Sequence, residues 1–237
     1  LVTPDGRLLH RYRQGHAAFK GSADDYAFLV WGLIELYEAT FEVRYLKAAL
    51  ELNEQFIAHF WDARTGGFWA TPDDEEEILF RRKEIYDGAV PSANSVAMLN
   101  LLRIARLTGN TGMEERAGRI ARAFSGEVSE SPSAYTFLMC GVSFAVGPAH
   151  EVVIVGHPQA EDTQAMLRAL RKGFHPNITV LARSPEKEPP EIDRLAGFVA
   201  GCRTLEGKAT AYVCTNYQCR SPTTDPAQMM AMLEAKG

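Results

Sequence analysis

The predicted helices up to residue 147 alternate between two kinds. Segment 24–40 is apolar nearly all round, with Glu35 and Glu38 as its only charges in mid-helix. Segment 42–60 is amphipathic, because its apolar residues recur every three or four positions. The alternation continues through the segments 92–108, 112–126 and 131–147. Since an all-apolar helix must be buried on most sides, the expected order is inner, outer, inner, outer, inner.

The first two helix pairs form an internal repeat, in which Thr108 follows Thr40 by 68 positions. At this offset apolar residues match apolar residues, in the pairs Leu33–Leu101, Ile34–Leu102, Leu36–Ile104, Ala49–Ala117 and Phe56–Phe124. Helical hairpins of this kind stack, because no single hairpin can bury its apolar face alone. The pattern predicts a mainly α fold, an (α/α)-toroid of which this chain supplies about half of six hairpins.

The second helix pair gives the toroid prediction its most direct consequence. If 92–108 is an inner helix, Leu99 and Leu102 are almost fully buried. Cys140 lies in the apolar segment 131–147 and is expected in the core for the same reason.

The segment 61–91, between the hairpins, departs from the helical pattern. Gly66-Gly67 is followed by the runs FWAT and EILFRR, an arrangement typical of a β-hairpin. The acidic run from Asp73 to Glu77 is expected at the tip of this hairpin insertion as a solvated loop. A cation site at the run is the alternative.

Short β-branched runs alternate with helical runs after residue 150. The run 151–156, the amphipathic stretch 162–174 and the run 177–182 predict a βαβ unit with parallel strands. A third strand over 210–215 and a last helix over 225–236 complete a small three-stranded α/β domain. We therefore place a half-toroid at residues 1–148 and the α/β domain at 149–237.

Composition excludes several classes of partner. The net charge is −5 and no basic patch is interleaved with aromatic residues, so nucleic acid is not expected. No apolar run reaches the roughly 18 to 20 residues of a membrane span. Four cysteines are too few for a secreted disulfide scaffold, which favours a reducing cytoplasm. Residues 1–15 lack a starting Met and the apolar core of a signal peptide, so we expect an internal fragment or a disordered start.

Polar residues crowd the N-terminal ends of two inner helices. At the repeat offset Asp24 falls on Ser92 and Tyr26 falls on Asn94. In a toroid both groups share one rim, where unpaired N–H groups suit an oxygen-rich ligand. The alternative is that Asp24 or Asp25 and Ser92 only cap their helices. A cap needs one polar residue, however, and does not explain the rest of the group, Tyr26, Lys83, Glu84, Tyr86, Asp87 and Asn94.

Carboxylates beside aromatic residues suggest a carbohydrate ligand at this rim. Two carboxyl groups can act as acid and base, or as acid and nucleophile, in glycoside chemistry. We predict Asp25 and Asp87 as the catalytic pair, with Glu84 as a substitute. The predicted substrate-binding residues are Asp24, Tyr26, Lys83, Tyr86, Ser92, Asn94 and Trp69. For the aromatic residues, ordinary core and hairpin packing is the alternative to sugar stacking.

The sequence offers no recognisable cofactor or metal motif. The run VVIVG has one glycine after a strand and no G-x-G-x-x-G, so a nucleotide fingerprint is absent. Cys214 and Cys219 lie five positions apart, which is not the C-x-x-C of a redox motif, and no second ligand pair makes a zinc site. A loop that bends back would bring them within disulfide reach as a possible redox pair, although reduced thiols are favoured.

Three stretches carry a resemblance to a known family: 24–69, 81–109 (with KEIYDGAVPSANSVA) and 211–226 (AYVCTNYQCRSPTTDP). They resemble the C-terminal part of the YyaL-type, spermatogenesis-associated family of thioredoxin-domain-containing proteins, over essentially the whole chain. The resemblance implies a longer protein, with a thioredoxin-like domain followed by a toroid similar to N-acylglucosamine 2-epimerases and six-hairpin glycosidases. The family has no agreed reaction.

Two functions follow as expectations. The first is a carbohydrate-active enzyme, either a sugar epimerase or isomerase or a glycosidase, that uses the rim carboxylates. The second is a non-catalytic scaffold or client-binding module that works with the N-terminal thioredoxin-like domain implied by the resemblance.

Overall fold

The computed structural model describes residues 1–74, 80–185 and 190–234. It divides the chain into two compact units, Leu1–Leu102 with Thr111–Val142 and Arg103–Asn110 with Ser143–Gly237. The described residues form nine α-helices, a two-stranded sheet and a four-stranded sheet, which is a mainly α composition. None of the helices in the described ranges is long and apolar enough to span a membrane.

The first unit begins with a β-hairpin that the sequence analysis did not predict. Strands β1 (Leu9–Arg13) and β2 (His16–Lys20) pair antiparallel. The two residues between them, Gln14 and Gly15, have φ values of 51° and 82°, as the tight turn of a hairpin requires. Both strands are largely exposed, so they lack the apolar alternation that reveals a strand in a sequence.

The helical segments predicted before residue 147 are confirmed as helices. They are α1 (Ala23–Thr40), α2 (Val43–Phe60), α3 (Ala93–Thr108), α4 (Thr111–Ala123), α5 (Ser125–Glu130) and α6 (Thr136–Val146). The fourth predicted helix is shorter than expected, because Phe124 leaves helical geometry and the separate helix α5 follows it. Between α1 and α2 the Tyr26 ring packs against Phe56 and Phe60, at centroid distances of 5.7 and 5.2 Å.

The ends of α1 and α3 share one hydrogen-bond pattern. The Thr40 hydroxyl donates to the Leu36 carbonyl, and the Thr108 hydroxyl donates to the Ile104 carbonyl, both at 2.7 Å. Each threonine oxygen also accepts a backbone N–H from two residues further on. The equivalent bonds at Thr40 and Thr108 support the 68-residue repeat.

The β-hairpin predicted in segment 61–91 lies partly outside the described ranges, because residues 75–79 contain part of the acidic run and half of the second predicted strand. Among the described residues of the segment, Trp61 and Phe68 form an isolated antiparallel bridge. Trp69 donates its backbone N–H to the Phe60 carbonyl, at the end of α2, instead of to a hairpin strand. The Ala70 N–H donates to the Arg82 carbonyl at 2.8 Å, and the Asp62 N–H donates to the Gly67 carbonyl at 2.9 Å. Backbone bonds and side chains therefore both hold the segment.

The second unit contains a mixed sheet in the order β4-β3-β5-β6. Strand β3 (His150–Val155) pairs parallel with β4 (Ile178–Arg183) and antiparallel with β5 (Thr210–Thr215). The predicted parallel βαβ unit is confirmed, with α7 (Glu161–Arg171) between its strands. The prediction of three strands is wrong by one, because the two-residue strand β6 (Gln218–Cys219) adds an edge to β5. Helices α8 (Ile192–Leu195) and α9 (Pro226–Glu234) follow β4 and β6.

Two residues expected in the core are not fully buried. Cys140 is exposed on α6, and Leu99 on α3 is only half-buried. The neighbouring Leu101 and Leu102 are buried, so among these three leucines of α3 only Leu99 keeps partial exposure.

We expect Leu101→Ala to destabilise the protein by about 2 to 5 kcal/mol, because it leaves a cavity at a fully buried position. Leu99→Ala is the matched control in the same helix and should cost clearly less. Denaturant titration of both variants measures the difference. Equal losses would contradict the difference in burial between the two positions.

Candidate functional site

The carboxylate of Asp87 accepts hydrogen bonds at the starts of two helices. Its Oδ1 accepts the Ser92 N–H at 2.9 Å, directly before α3. Its Oδ2 accepts the N–H groups of Phe137 and Leu138 in the first turn of α6, at 2.8 and 3.0 Å. The Asp87 side chain is almost completely buried, and helix N-termini need such acceptors. The contacts of Asp87 are therefore those of a helix cap shared by α3 and α6.

Asp25, the other half of the predicted catalytic pair, caps its own helix. Its Oδ2 accepts bonds from the backbone N–H and the hydroxyl of Ser22, at 2.7 and 2.9 Å. Ser22 precedes α1, so the two residues form a capping box. His10 Nδ1 lies 2.9 Å from the same carboxylate oxygen. Asp25 and Asp87 thus serve different helix starts, which supports capping over the catalytic pairing predicted from the sequence.

Tyr26 and Asn94 hold chain segments together from inside the core. The Tyr26 hydroxyl accepts the Leu8 N–H at 2.8 Å, and its ring is completely buried. The Asn94 side chain forms two hydrogen bonds with the backbone of Phe68. It accepts the Phe68 N–H at 2.7 Å and donates to the Phe68 carbonyl at 3.0 Å. Its amide also donates to the Glu84 carbonyl at 2.8 Å. Both side chains are engaged in these bonds, and their substrate-binding role stays a prediction.

Lys83 organises the turn that follows α2. Its Nζ lies 2.7 Å from Asp62 Oδ2 and 2.6 Å from both Thr65 Oγ1 and the Gly66 carbonyl. It also lies 4.6 Å from the centroid of the Trp69 ring. Burial acts to raise the pKa of Asp62, but the bonds from Lys83 and Thr65 outweigh it and hold that pKa well below its usual range.

The other predicted rim residues have ordinary surroundings. The Ser92 hydroxyl donates to Ser95 Oγ and accepts the Ser95 N–H, as a residue at a helix start does. Tyr86 is 67% exposed, so most of its side chain faces solvent. Trp69 lies under Arg81 and Lys83, with both cations within 5.4 Å of its ring centroid.

One small crevice does bring together residues from the starts of α1 and α3. It has a volume of about 20 Å³, enough for a single water molecule. Its polar lining consists of Asp24, Glu84 and Asn94. Burial of the carboxyl group and the neighbouring charge of Glu84 raise the pKa of Asp24, although much of the residue is exposed. The crevice therefore brings together three of the residues expected at the rim, Asp24, Glu84 and Asn94.

The first unit contains two further polar surfaces. A cleft of about 410 Å³ lies between residues 2–6 and one side of α2, and it is lined by Asp5, Glu51 and Glu54 among others. His59, Asp73 and Asp74 place ligand atoms within 4.8 Å of one another. The carboxylate of Asp74, however, already binds Arg7 at 2.8 Å and Lys20 at 3.0 Å.

The second unit contains a disulfide between Cys214 and Cys219, where the sequence analysis favoured reduced thiols. The two residues are directly opposed in the β5–β6 hairpin, with Cα atoms 3.8 Å apart. The turn between the strands is Asn216-Tyr217, and both residues have positive φ, 51° and 61°. A two-residue turn of this type places Thr215 opposite Gln218 and, one position further along each strand, Cys214 opposite Cys219, which explains the pairing of the cysteines.

A buried ion pair lies beside this hairpin turn. Arg106 donates to Glu151 at 2.8 Å, and the Glu151 side chain is completely buried. The other oxygen of Glu151 accepts the Tyr217 N–H at 3.2 Å. Burial raises the pKa of Glu151, and the bonds from Arg106 and Tyr217 oppose that rise.

The ion pair was not predicted from the sequence, although the sequence contains a signal for it. Glu151 stands in the run EVVIVG, which was assigned to a buried strand. A charge in a buried strand must be paired to be tolerated. The partner lies 45 positions earlier in the chain, so spacing alone does not identify it.

Relatives exist among curated proteins. Spermatogenesis-associated protein 20 of Rattus norvegicus is 35% identical over 90% of this chain, and the Homo sapiens protein of that name is 36% identical over the same share. An uncharacterized protein of Caenorhabditis elegans is 28% identical over 88%. The chain spans about a quarter of these relatives, 27 to 28% of their length. No protein-family model matches the chain.

These relatives support the resemblance to the spermatogenesis-associated family over nine-tenths of the chain. Because they extend well beyond the matched part, their whole-protein activities are a separate question. The thioredoxin-like domain and the toroid implied by the resemblance remain expectations.

We expect Asp87→Asn to destabilise the protein by about 2 kcal/mol, because an amide cannot accept all three N–H bonds and turns a donor toward one of them. Glu84→Gln, at a more exposed carboxylate, should change stability by less than about 0.5 kcal/mol. Urea unfolding of both variants tests the cap. A stable Asp87→Asn variant would contradict it.

The Asp62–Lys83 pair should make stability depend on pH. The pKa of Asp62 is lower in the folded state than in the unfolded chain, where it is about 3.9. Its contribution is therefore complete above about pH 5 and is lost as the pH falls through the folded-state pKa.

The test is Lys83→Met, whose free energy of unfolding should be about 3 kcal/mol lower than that of the parent chain at neutral pH. Between neutral and acid pH the variant should lose a smaller fraction of its stability than the parent chain loses. Lys47→Met removes a surface contact to Glu51 and serves as the control. Urea unfolding at about pH 7 and about pH 3 measures both. Parallel pH profiles for Lys83→Met and the parent chain would disprove the assignment.

Proposed function

We propose that this chain is a non-catalytic structural and interaction module of a longer protein. The observation that carries the proposal is an apolar surface on α1, which we call the α1 face. It is defined by Phe28, Leu29, Trp31 and Leu36. Leu29 and Leu36 are 39% and 45% exposed.

The α1 face lies opposite the side of the helix that is packed in the core. Leu29 and Leu36 are seven residues apart and therefore lie on the same side of a helix. The buried residues of α1, which include Val30, Ile34 and Tyr37, fall on the other side. The Trp31 ring extends the face to α6, where it meets Phe137 at a centroid distance of 4.9 Å.

The proposed occupant of the α1 face is helical chain from the remainder of the longer protein. A helix with apolar residues all round is typical of a position buried by neighbours on every side. The chain corresponds to about a quarter of the length of its relatives, so those proteins contain further chain that could supply neighbours. The proposed arrangement is the (α/α)-toroid expected from the repeat, completed by other hairpins and working with a thioredoxin-like domain.

The internal use of the rim residues supports a non-catalytic role. The hydrogen bonds of Asp25 and Asp87 are made to helix starts, and those of Lys83 are made to a turn. A catalytic group must reach a substrate in a productive geometry. Side chains with these bonds would have to break the fold locally in order to act.

A second candidate function rests on Asp24 and Glu84. A carboxyl group with a raised pKa beside a second carboxylate is the pattern of a general acid next to its partner. Both line the crevice at the starts of α1 and α3. In a completed toroid this crevice would be the floor of a larger cavity, and the carbohydrate chemistry expected from the sequence would use this pair.

The module proposal predicts the effect of a charge on the α1 face. In the longer protein Leu36→Glu should lower the free energy of unfolding by at least about 2 kcal/mol, since it buries an unpaired carboxylate. Phe174→Glu, at a position that is 88% exposed, is the control and should stay within about 0.5 kcal/mol.

Alkylation of Cys140, which is exposed on α6 in this chain, provides an independent measurement. We expect slow alkylation in the longer protein and faster alkylation when Leu36→Glu is introduced. Equal alkylation rates in the short and the longer chain, together with a neutral Leu36→Glu, would refute the proposal.

The second candidate requires a different experiment. If Asp24 is a general acid, Asp24→Asn should reduce sugar turnover by the longer protein by about 10²- to 10⁴-fold. Asp25→Asn is the neighbouring control, because Asp25 binds Ser22 and His10. A screen of N-acylated and neutral sugars that finds no binding would remove this candidate and leave the module proposal intact.

A further inference from the structure

We propose that Cys214 and Cys219 form a reversible dithiol–disulfide site that reacts with small thiols at Cys219. We further propose that its reduction loosens the ion pair between Arg106 and Glu151. The two parts rest on the geometry of one hairpin, β5–β6, in which one residue pair, Thr215 and Gln218, separates the disulfide from the turn. Neither part depends on the proposed function.

The two sulfur atoms differ in their access to solvent. Cys214 belongs to β5 and is completely buried. Cys219 belongs to β6, the edge strand of the sheet, and is exposed. Thiol–disulfide exchange requires a thiolate to reach one sulfur of the bond. The reachable sulfur is that of Cys219, so Cys214 is the leaving group.

The exchange balances with a small dithiol as the reductant. One thiolate of the dithiol attacks the Cys219 sulfur, which forms a mixed disulfide and breaks the bond to Cys214. The Cys214 thiolate leaves and takes a proton from water. The second thiolate of the reductant then attacks the reductant sulfur that is bonded to Cys219. This closes the reductant into a cyclic disulfide and releases Cys219 as a thiolate. The reductant loses two electrons and the protein site gains them.

The turn between the cysteines reaches into the buried ion pair. Asn216 Oδ1 accepts a bond from Arg106 at 3.2 Å, and the Tyr217 N–H donates to Glu151 at 3.2 Å. The Tyr217 hydroxyl donates to the Ala105 carbonyl at 2.9 Å. The Arg106 guanidinium also lies over the Tyr217 ring, 5.2 Å from its centroid. Both partners of the ion pair therefore depend on the position of this turn.

The conformation of the turn links the disulfide to these contacts. Asn216 and Tyr217 both have left-handed backbone geometry, which disfavours a residue as bulky as tyrosine. The disulfide closes the hairpin across the turn and helps to hold it in this geometry. Reduction removes that closure, so the turn can relax and withdraw its bonds from Glu151 and Arg106. Coupling of this kind is reciprocal, so weakening the Tyr217 contacts must make the disulfide easier to reduce.

The experiment uses the 237-residue chain with Cys140→Ser and Cys202→Ser, so that only the pair titrates. The protein is equilibrated with mixtures of reduced and oxidised dithiothreitol, quenched in acid, alkylated and analysed by mass spectrometry. We expect one two-electron transition in the folded protein. Circular dichroism establishes that the reduced chain stays folded.

Two tyrosine variants test the coupling. Tyr217→Phe removes the hydroxyl bond to Ala105 and should favour the reduced form by about fivefold. Tyr212→Phe is the matched control in β5, because the Tyr212 hydroxyl also donates to a backbone carbonyl, that of Arg203, at 2.8 Å. It should leave the equilibrium with dithiothreitol unchanged.

Single cysteine variants test the direction of attack. With Cys214→Ser the remaining thiol of Cys219 should be alkylated at least about ten times faster than the thiol of Cys214 in Cys219→Ser. A disulfide that opens only in denaturant would overturn the reversible site. Equal effects of Tyr217→Phe and Tyr212→Phe would overturn the coupling, and equal alkylation rates would overturn the assignment of Cys219.

Discussion

Helices α3 and α6 both begin at one carboxylate, that of Asp87. The first turn of a helix leaves several N–H groups without partners, and buried N–H groups must be satisfied. Asp87 accepts three such groups from two helices, which fixes the segment before α3 against the start of α6. Asn94 then ties the start of α3 to Phe68 and Glu84. Lys83 joins this segment to the turn after α2 through Asp62.

This bonding pattern changes the interpretation of the polar rim. Residues that look in the sequence like a binding site form the connections between helices, where charge-assisted bonds are strong and the donors cannot be left unpaired. What remains at the rim is small, a crevice with Asp24 and Glu84. The exposed apolar α1 face is the feature of this unit that ordinary helix packing leaves unexplained, and it is the basis of the module proposal.

The second unit places its polar chemistry elsewhere, at the edge of a sheet. There the closed hairpin of β5 and β6 brings a covalent bond next to a buried ion pair. Burying Glu151 is favourable only while its partners are in place, because an unpaired charge in the interior is costly. The Asn216-Tyr217 turn supplies one of those partners, the Tyr217 N–H, and also binds Arg106 through Asn216. A bond that can be broken by reduction therefore lies within a few residues of contacts that the fold needs.

The sequence by itself determined the longer helices and three of the six strands in the described residues, because apolar periodicity is a local property of the chain. The segments 24–40, 42–60 and 92–108 correspond to α1, α2 and α3 within a residue, and the parallel pairing of β3 with β4 followed from the βαβ pattern. The β1–β2 hairpin was not predicted because its strands are exposed, and β6 was not predicted because it is two residues long. Only the tertiary structure decided what the polar residues bind. Asp87 meets Phe137 across 50 positions, Asn94 meets Phe68 across 26, and Glu151 meets Arg106 across 45. The composition of a segment indicates that its polar groups need partners, but those partners lie in distant parts of the chain that packing brings near. Packing therefore decides whether a carboxylate is a helix cap or a catalytic acid.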